Sequence, residues 1–171
     1  TDEIVNAVSL FAGSFGGINL EDIAAPRCFE IERRLKEICD IPVFHDDQHG
    51  TAIVLGAALI NALKVVNKEL STARIVINGA GSAGIAIASF LIGMGAENLI
   101  VCDKAGALFD GKEGMTEPQK ELAKITNKEK LEGSLADAMN GADVFIGVSA
   151  PNIVSEEMIK LSPFYDDETA L

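Results

Sequence analysis

The chain has 171 residues, 48% hydrophobic and 23% charged, a globular balance that argues against disorder. Its 14 Lys and Arg stand against 26 Asp and Glu, a net charge of −12, so neither nucleic acid nor an anionic membrane surface is expected as a partner. The longest apolar stretch, residues 52–60, is far shorter than the ~20 residues of a membrane span, and no basic-then-apolar signal peptide opens the chain.

Apolar runs alternate with helical patterns along most of the length, which predicts an α/β fold with a doubly wound parallel sheet. Phe15-Gly16-Gly17-Ile18-Asn19-Leu20 reads as a short buried strand ending at Glu21-Asp22. Pro26 suits the first turn of a helix in which Cys28, Ile31, Leu35 and Ile38 face the core and Glu30, Arg33, Arg34 and Glu37 face outward. Ile41-Pro42-Val43-Phe44 is the next strand, ending at His45-Asp46-Asp47. Residues 51–66 form a helix that is apolar nearly all round, and it is therefore expected at the centre.

A second βαβ series starts at Arg74. Ile75-Val76-Ile77 is a strand, residues 79–84 a tight turn, residues 85–94 a helix closed by Gly95, and Leu99-Ile100-Val101-Cys102 the following strand. Residues 104–130 read as an exposed loop with a helix starting near Pro118. A short helix over 131–140 and a strand over 142–148 follow, and the acidic tail from Ser162 is expected to fray. Cys28, Cys39 and Cys102 are an odd number without metal-motif spacing, and read as reduced core thiols of a cytoplasmic protein.

Gly79-x-Gly81-x-x-Gly84 directly follows a strand and opens a helix. The first glycine permits the turn, the second lets a pyrophosphate approach the backbone, and the third lets helix pack on strand. Unpaired amides at the helix N-terminus then face the phosphates. Asp103 ends the next strand, where its carboxylate can accept hydrogen bonds from an adenosine ribose. Asp103 repels a 2′-phosphate and Lys104 attracts one; the balance favours NAD, with NADP open.

Glu21-Asp22 and Asp46-Asp47 fall at the ends of consecutive strands joined by one helix, which a right-handed βαβ unit brings to one sheet edge. Converging carboxylates repel one another unless a cation lies between them, and an oxygen-only set suits Mg²⁺ or Mn²⁺. The competing reading is that these acids cap the two following helices. His45 and His49 flank the pair either as ligands or proton carriers, or as hydrogen-bonding spacers.

Gly16-Gly17-Ile18-Asn19-Leu20-Glu21-Asp22-Ile23 and Ile41-Pro42-Val43-Phe44-His45-Asp46-Asp47-Gln48-His49-Gly50-Thr51 strongly resemble the malic enzymes, the shorter bacterial type above all. Cys102-Asp103-Lys104-x-Gly106 and the stretch from Gly141 to Pro151 resemble the nucleotide domain of the same family. The resemblance implies oxidative decarboxylation of malate to pyruvate and CO₂ by a homo-oligomer, dimer or larger, that uses NAD or NADP and a divalent metal. Carried over position by position, it makes Glu21, Asp22 and Asp47 metal ligands, and Asp46 a catalytic neighbour that sets the protonation of other groups. Ala80, Gly81, Ser82 and Ala83 would contact the pyrophosphate, while Thr51, Ser149 and Ala150 would flank the nicotinamide.

Residues 1–50 are then the metal-edge βαβ segment, closing a substrate domain and leading to the next; residues 51–171 are a Rossmann-type NAD(P)-binding domain incomplete at its C-terminus. The family's catalytic Tyr and Lys lie upstream of the glycine-glycine segment, and Tyr165, the sole tyrosine, matches neither role, so the chain reads as a fragment. Two alternatives stay open: a non-catalytic dinucleotide-binding module, and a related dehydrogenase that works without metal.

Overall fold

The computed structural model describes residues 1–163. A helix, α1 (Asp2–Ala12), lies before the first element read from the sequence and packs on α2 (Arg27–Ile38). Strands β1 (Ile18–Leu20) and β2 (Val43–His45) pair in parallel, with Leu20 opposite His45. Val5, Leu20, Ile31, Leu35 and Val43 form the core between this ribbon and the two helices.

The expected strand is shorter than its apolar run, because Phe15 is 55% exposed and precedes the ladder. Ile38, read as a core position, is exposed at the end of α2, while Glu32 is buried instead. The apolar stripe drifts off the contact face as the helix runs past the two-stranded ribbon.

A five-residue π-helical turn, Asp46–Gly50, follows β2 and runs without a break into α3 (Thr51–Val65). The larger sheet has the order β5-β4-β3-β6, formed by β3 (Arg74–Asn78), β4 (Asn98–Asp103), β5 (Gly106–Ala107) and β6 (Val144–Gly147). β3 pairs in parallel with both β4 and β6, and β5 is an antiparallel edge on β4.

Alternation along the strands fills two layers, as a sheet covered on both faces requires. Ile75, Ile77, Leu99 and Val101 pack with residues of α3, of α4 (Ser82–Gly93) and of α5 (Glu117–Ala123). Val76, Ile100 and Cys102 pack with α6 (Leu135–Met139) on the opposite face, with Met158 of α7 (Glu156–Ile159) at its edge. The sheet is thus doubly wound. Each fully buried Ile or Leu contributes about 1.5–3 kcal/mol, so these two layers dominate the stability.

α3 departs from expectation: it is not central among the described residues. One face meets α4, where a Cβ on Gly56 would come within 2.6 Å of the Phe90 ring. Val54 and Val65 on other faces are 67% and 82% exposed. An all-apolar composition reports what a helix tolerates, and α3 has a packing partner on one side only. The helix expected over 131–140 is confined to Leu135–Met139, because Ser134 caps it through the Asp137 amide. Most of the tail read as frayed, Tyr165 included, lies outside the described residues.

Candidate functional site

The glycine turn sits at the carboxyl end of the central strand β3. Gly79 has φ 129, and a Cβ there would lie 2.8 Å from the Val148 carbonyl. Only glycine satisfies both constraints. A Cβ on Gly84 would run into the carbonyl oxygen of Gly79, so the third glycine sets how closely α4 approaches the turn. Gly81 is different: nothing lies within 4 Å of its would-be Cβ, because it faces open cleft. That free volume next to the N-terminus of α4 is what a pyrophosphate needs to reach unpaired amides.

The cleft above the turn has a volume of about 900 Å³. Gly79, Ala80, Gly81, Asp103, Lys104 and Ser149 are among the residues that line it. Ala150 lies in an adjoining hollow beside Ser149 and Asn152. Asp103 accepts the Ala105 amide at 2.8 Å and the Lys112 ammonium at 3.4 Å, both on Oδ1. Burial pushes the neighbouring Cys102 thiol up to about 11, against the Lys112 charge and with that of Asp103. Cys102 is therefore a neutral core thiol at physiological pH and no nucleophile.

Two residues that shape this cleft were missed in the sequence. Asn78 is buried at the end of β3 and donates from Nδ2 to Ser149 Oγ at 2.9 Å, tying the ends of β3 and β6 together. A polar residue closing an apolar buried strand was the available signal. Gln119 donates from Nε2 to the Ala80 carbonyl at 3.0 Å and supports the glycine turn from α5. The Thr116-x-x-Gln119 capping box could have announced that helix, but not its reach across the cleft.

The carboxylate edge is built from the ends of β1 and β2. Asp22 has φ 56, a left-handed conformation that Asp tolerates better than most residues, and its amide donates to Asp47 Oδ2 at 2.9 Å. Asp22 and Asp47 therefore meet. Glu21 turns away, its Oε1 accepting the Asn19 side-chain amide at 2.7 Å. Among the described residues, no three His, Cys, Asp or Glu side chains gather closely enough to hold a metal ion. The donors suit a hard divalent cation in kind, but they form no closed cage.

Asp46 opens the π-helical turn and lies over Gly50, where a Cβ would strike its carboxylate. The Thr51 amide reaches back to the Asp46 and Gln48 carbonyls, which fixes Thr51 at the junction with α3. His49 Nε2 pairs with Glu32 Oε1 at 2.7 Å, and Lys36 meets the same oxygen at 2.8 Å. The Glu32 side chain is only 8% exposed, so this pair ties α2 to the turn. This contact fits the spacer reading of His49. His45 is fully buried, and neither ring nitrogen has a hydrogen-bond partner among the described residues.

The π-helical turn packs directly on α4, the helix that opens at the glycine turn. The helix that borders the glycine turn thus contacts the turn that carries Asp46 and Asp47. π-turns inside helices concentrate at functional sites.

A family model described as "Malic enzyme, NAD binding domain" matches residues 48–162, and one described as "Malic enzyme, N-terminal domain" matches residues 1–36. The chain belongs to the malic enzyme family. It is 54% identical to an NAD-dependent malic enzyme of Geobacillus stearothermophilus, over 94% of this chain and 34% of that protein. It is 51% identical to an NADP-dependent malic enzyme of Halomonas elongata, over 91% of this chain and 36% of that protein. The crystal structure of an NAD-dependent malic enzyme from Thermotoga maritima superposes with a TM-score of 0.90 at 47% identity, covering 94% of this chain and 43% of that one. The chain thus spans about a third of the length of these curated relatives. Among the described residues no helix is long and apolar enough to cross a membrane.

Proposed function

We propose that the protein carrying this chain is a malate oxidoreductase (decarboxylating), which converts malate to pyruvate and CO₂ with NAD, or less readily NADP, and with Mg²⁺ or Mn²⁺. The observation that carries this reading is the packing of the Asp46–Gly50 turn, which bears two of the carboxylates, on α4, the helix that opens at the glycine turn. Family membership supports it independently.

In this reading the N-terminus of α4 and the open face of Gly81 receive the pyrophosphate, and Asp103 accepts the adenosine ribose hydroxyls. Asn78 and Ser149, with Ala150 in the adjoining hollow, would receive the nicotinamide, and Thr51 would approach it from the head of α3. Glu21, Asp22 and Asp47 would hold the cation, with Glu21 giving up its bond to Asn19. A divalent cation bound there supplies Lewis-acid stabilisation of negative charge on the substrate's oxygens, while the dinucleotide takes up a hydride. Asp46, anchored at the head of the turn, lies beside that edge and tunes proton transfer. The free thiols of Cys28, Cys39 and Cys102 support a cytoplasmic enzyme, and the exposed apolar side chains Leu10, Val54 and Val65 support a homo-oligomer.

The absence of three gathered ligands among the described residues favours a second reading, a dinucleotide-binding module without metal chemistry. Assay of the full-length protein with malate, NAD and Mn²⁺ separates the two. NADH and pyruvate formed in equal amounts, and abolished by a chelator, are expected; NAD binding without any turnover would favour the module.

A further inference from the structure

We propose that Lys112 is a positioning residue for the dinucleotide, holding Asp103 and its turn in the shape that receives the adenosine ribose. The proposal rests on the reading of the cleft as a dinucleotide site. Lys112 lies in the Gly- and charge-rich stretch read from sequence as exposed loop, yet its side chain is only 15% exposed. Its Nζ donates to the carbonyls of Ala105 at 3.3 Å, Gly106 at 3.3 Å and Ala107 at 3.0 Å, and faces Asp103 Oδ1 at 3.4 Å. A surface lysine gains little from ordering its flexible stem, which costs up to about 2 kcal/mol. This one is ordered because a tight hairpin gathers three carbonyls and the Asp103 carboxylate around its three N–H donors.

The hairpin needs that support. β5 has two residues, and only the pairs Cys102–Ala107 and Asp103–Gly106 join it to β4. On its far side the turn is wedged against Gly133: the Ala107 amide donates to the Gly133 carbonyl at 2.9 Å, and a Cβ on Gly106, at φ 98, would collide with that same oxygen. Gly106 and Gly133 both line the cleft, whereas Lys112 does not. Lys112 therefore reaches the ligand only through the turn it clamps.

The consequence falls on Asp103. Its Oδ1 is anchored by the Ala105 amide and the Lys112 ammonium, and its Oδ2 has no hydrogen bond among the described residues. One oxygen is held by the turn, and Asp103 itself lines the cleft. Without Lys112 the carboxylate keeps its charge but loses its aim, and the turn loses the cation that satisfies its carbonyls.

The test is calorimetric titration of NAD and of ADP-ribose into the full-length wild type, Lys112→Met, Asp103→Asn and the double variant. Lys112→Met is expected to weaken ADP-ribose by about tenfold, the scale of a lost charge-assisted hydrogen bond. If the two residues act as one unit, the double variant loses less than the product of the single losses. In turnover, KM for NAD rises while kcat stays within about twofold and KM for malate is unchanged. Lys112→Gln, which keeps a shorter polar side chain, carries the same expectation should Lys112→Met fail to fold. Wild-type affinity in the Lys112 variants, or losses that multiply in the double variant, would overturn the proposal. A wild type that binds neither NAD nor ADP-ribose would overturn the dinucleotide reading, and this proposal with it.

Discussion

The Asp22 amide donates to Asp47 Oδ2 at 2.9 Å across the ends of two parallel strands, joining residues 25 positions apart in the chain. The bond draws an Asp into left-handed backbone and leaves the second oxygen of Asp47 without a hydrogen bond among the described residues. Asp47→Asn keeps this shape and removes one negative charge. Mn²⁺ affinity should fall by about tenfold or more, the scale at which even indirect partners of a metal site act. NAD affinity should stay unchanged. Equal Mn²⁺ affinity in both proteins would remove Asp47 from the metal edge.

Gly84→Ala tests the third glycine. The added methyl meets the Gly79 carbonyl oxygen, backbone that cannot yield without opening the turn. Overpacking of this kind costs about 1–3 kcal/mol, read by chemical denaturation, and NAD binding should weaken as the α4 N-terminus moves away. A variant with wild-type stability and NAD affinity would show that the close approach is dispensable.

Asp103→Ser bears on cofactor choice. It removes a ribose acceptor and the repulsion of a 2′-phosphate, and it leaves the Lys112 ammonium without its carboxylate partner. A hydrogen bond to a charged group contributes about 1.5–3 kcal/mol, so the kcat/KM ratio of NADP to NAD should rise by about tenfold or more. A ratio that does not move would make Asp103 a turn residue only.

How much of this was legible in the sequence depends on whether a feature is local. The glycine turn was legible because the backbone demands at Gly79 and Gly84 admit one residue type. The alternation of apolar runs with helical patterns foretold a parallel α/β sheet, and Ile75, Val76 and Ile77 divide between its two core layers. The π-helical turn was not legible, since a single wide turn carries no periodicity of its own. Buried Glu32 was hidden for another reason: its charge reads as solvated although it lies on the core stripe with Cys28, Ile31 and Leu35, and its partner His49 is 17 positions away. Lys112 reads as a solvated charge until β4 and β5 fold back upon it. α3 failed in the opposite direction, because composition alone does not say how many faces find partners.

Asp143 supplies a pH dependence. Burial would raise its pKa, but hydrogen bonds from Lys68 and the Arg74 amide, with the charges of both residues, outweigh it and hold the carboxyl below its usual value of 3.8. A carboxyl lowered in the folded state stabilises the fold above its unfolded pKa. That contribution should be lost as the pH falls from about 4 downward through the lowered folded value. Asp143→Asn should cost about 1–3 kcal/mol at neutral pH and flatten the acid limb of a urea-denaturation series. An unchanged acid limb would place the acid sensitivity elsewhere.

The central claim is that the carboxylate edge and the nicotinamide end of the cleft share one site. The most direct measurement is paramagnetic broadening by Mn²⁺ of the proton resonances of NAD exchanging on the full-length protein. The account predicts strong broadening of the nicotinamide protons, weaker broadening of the adenine protons, and loss of both in Asp47→Asn. Adenine protons broadened as strongly as those of nicotinamide, or broadening that survives Asp47→Asn, would contradict it.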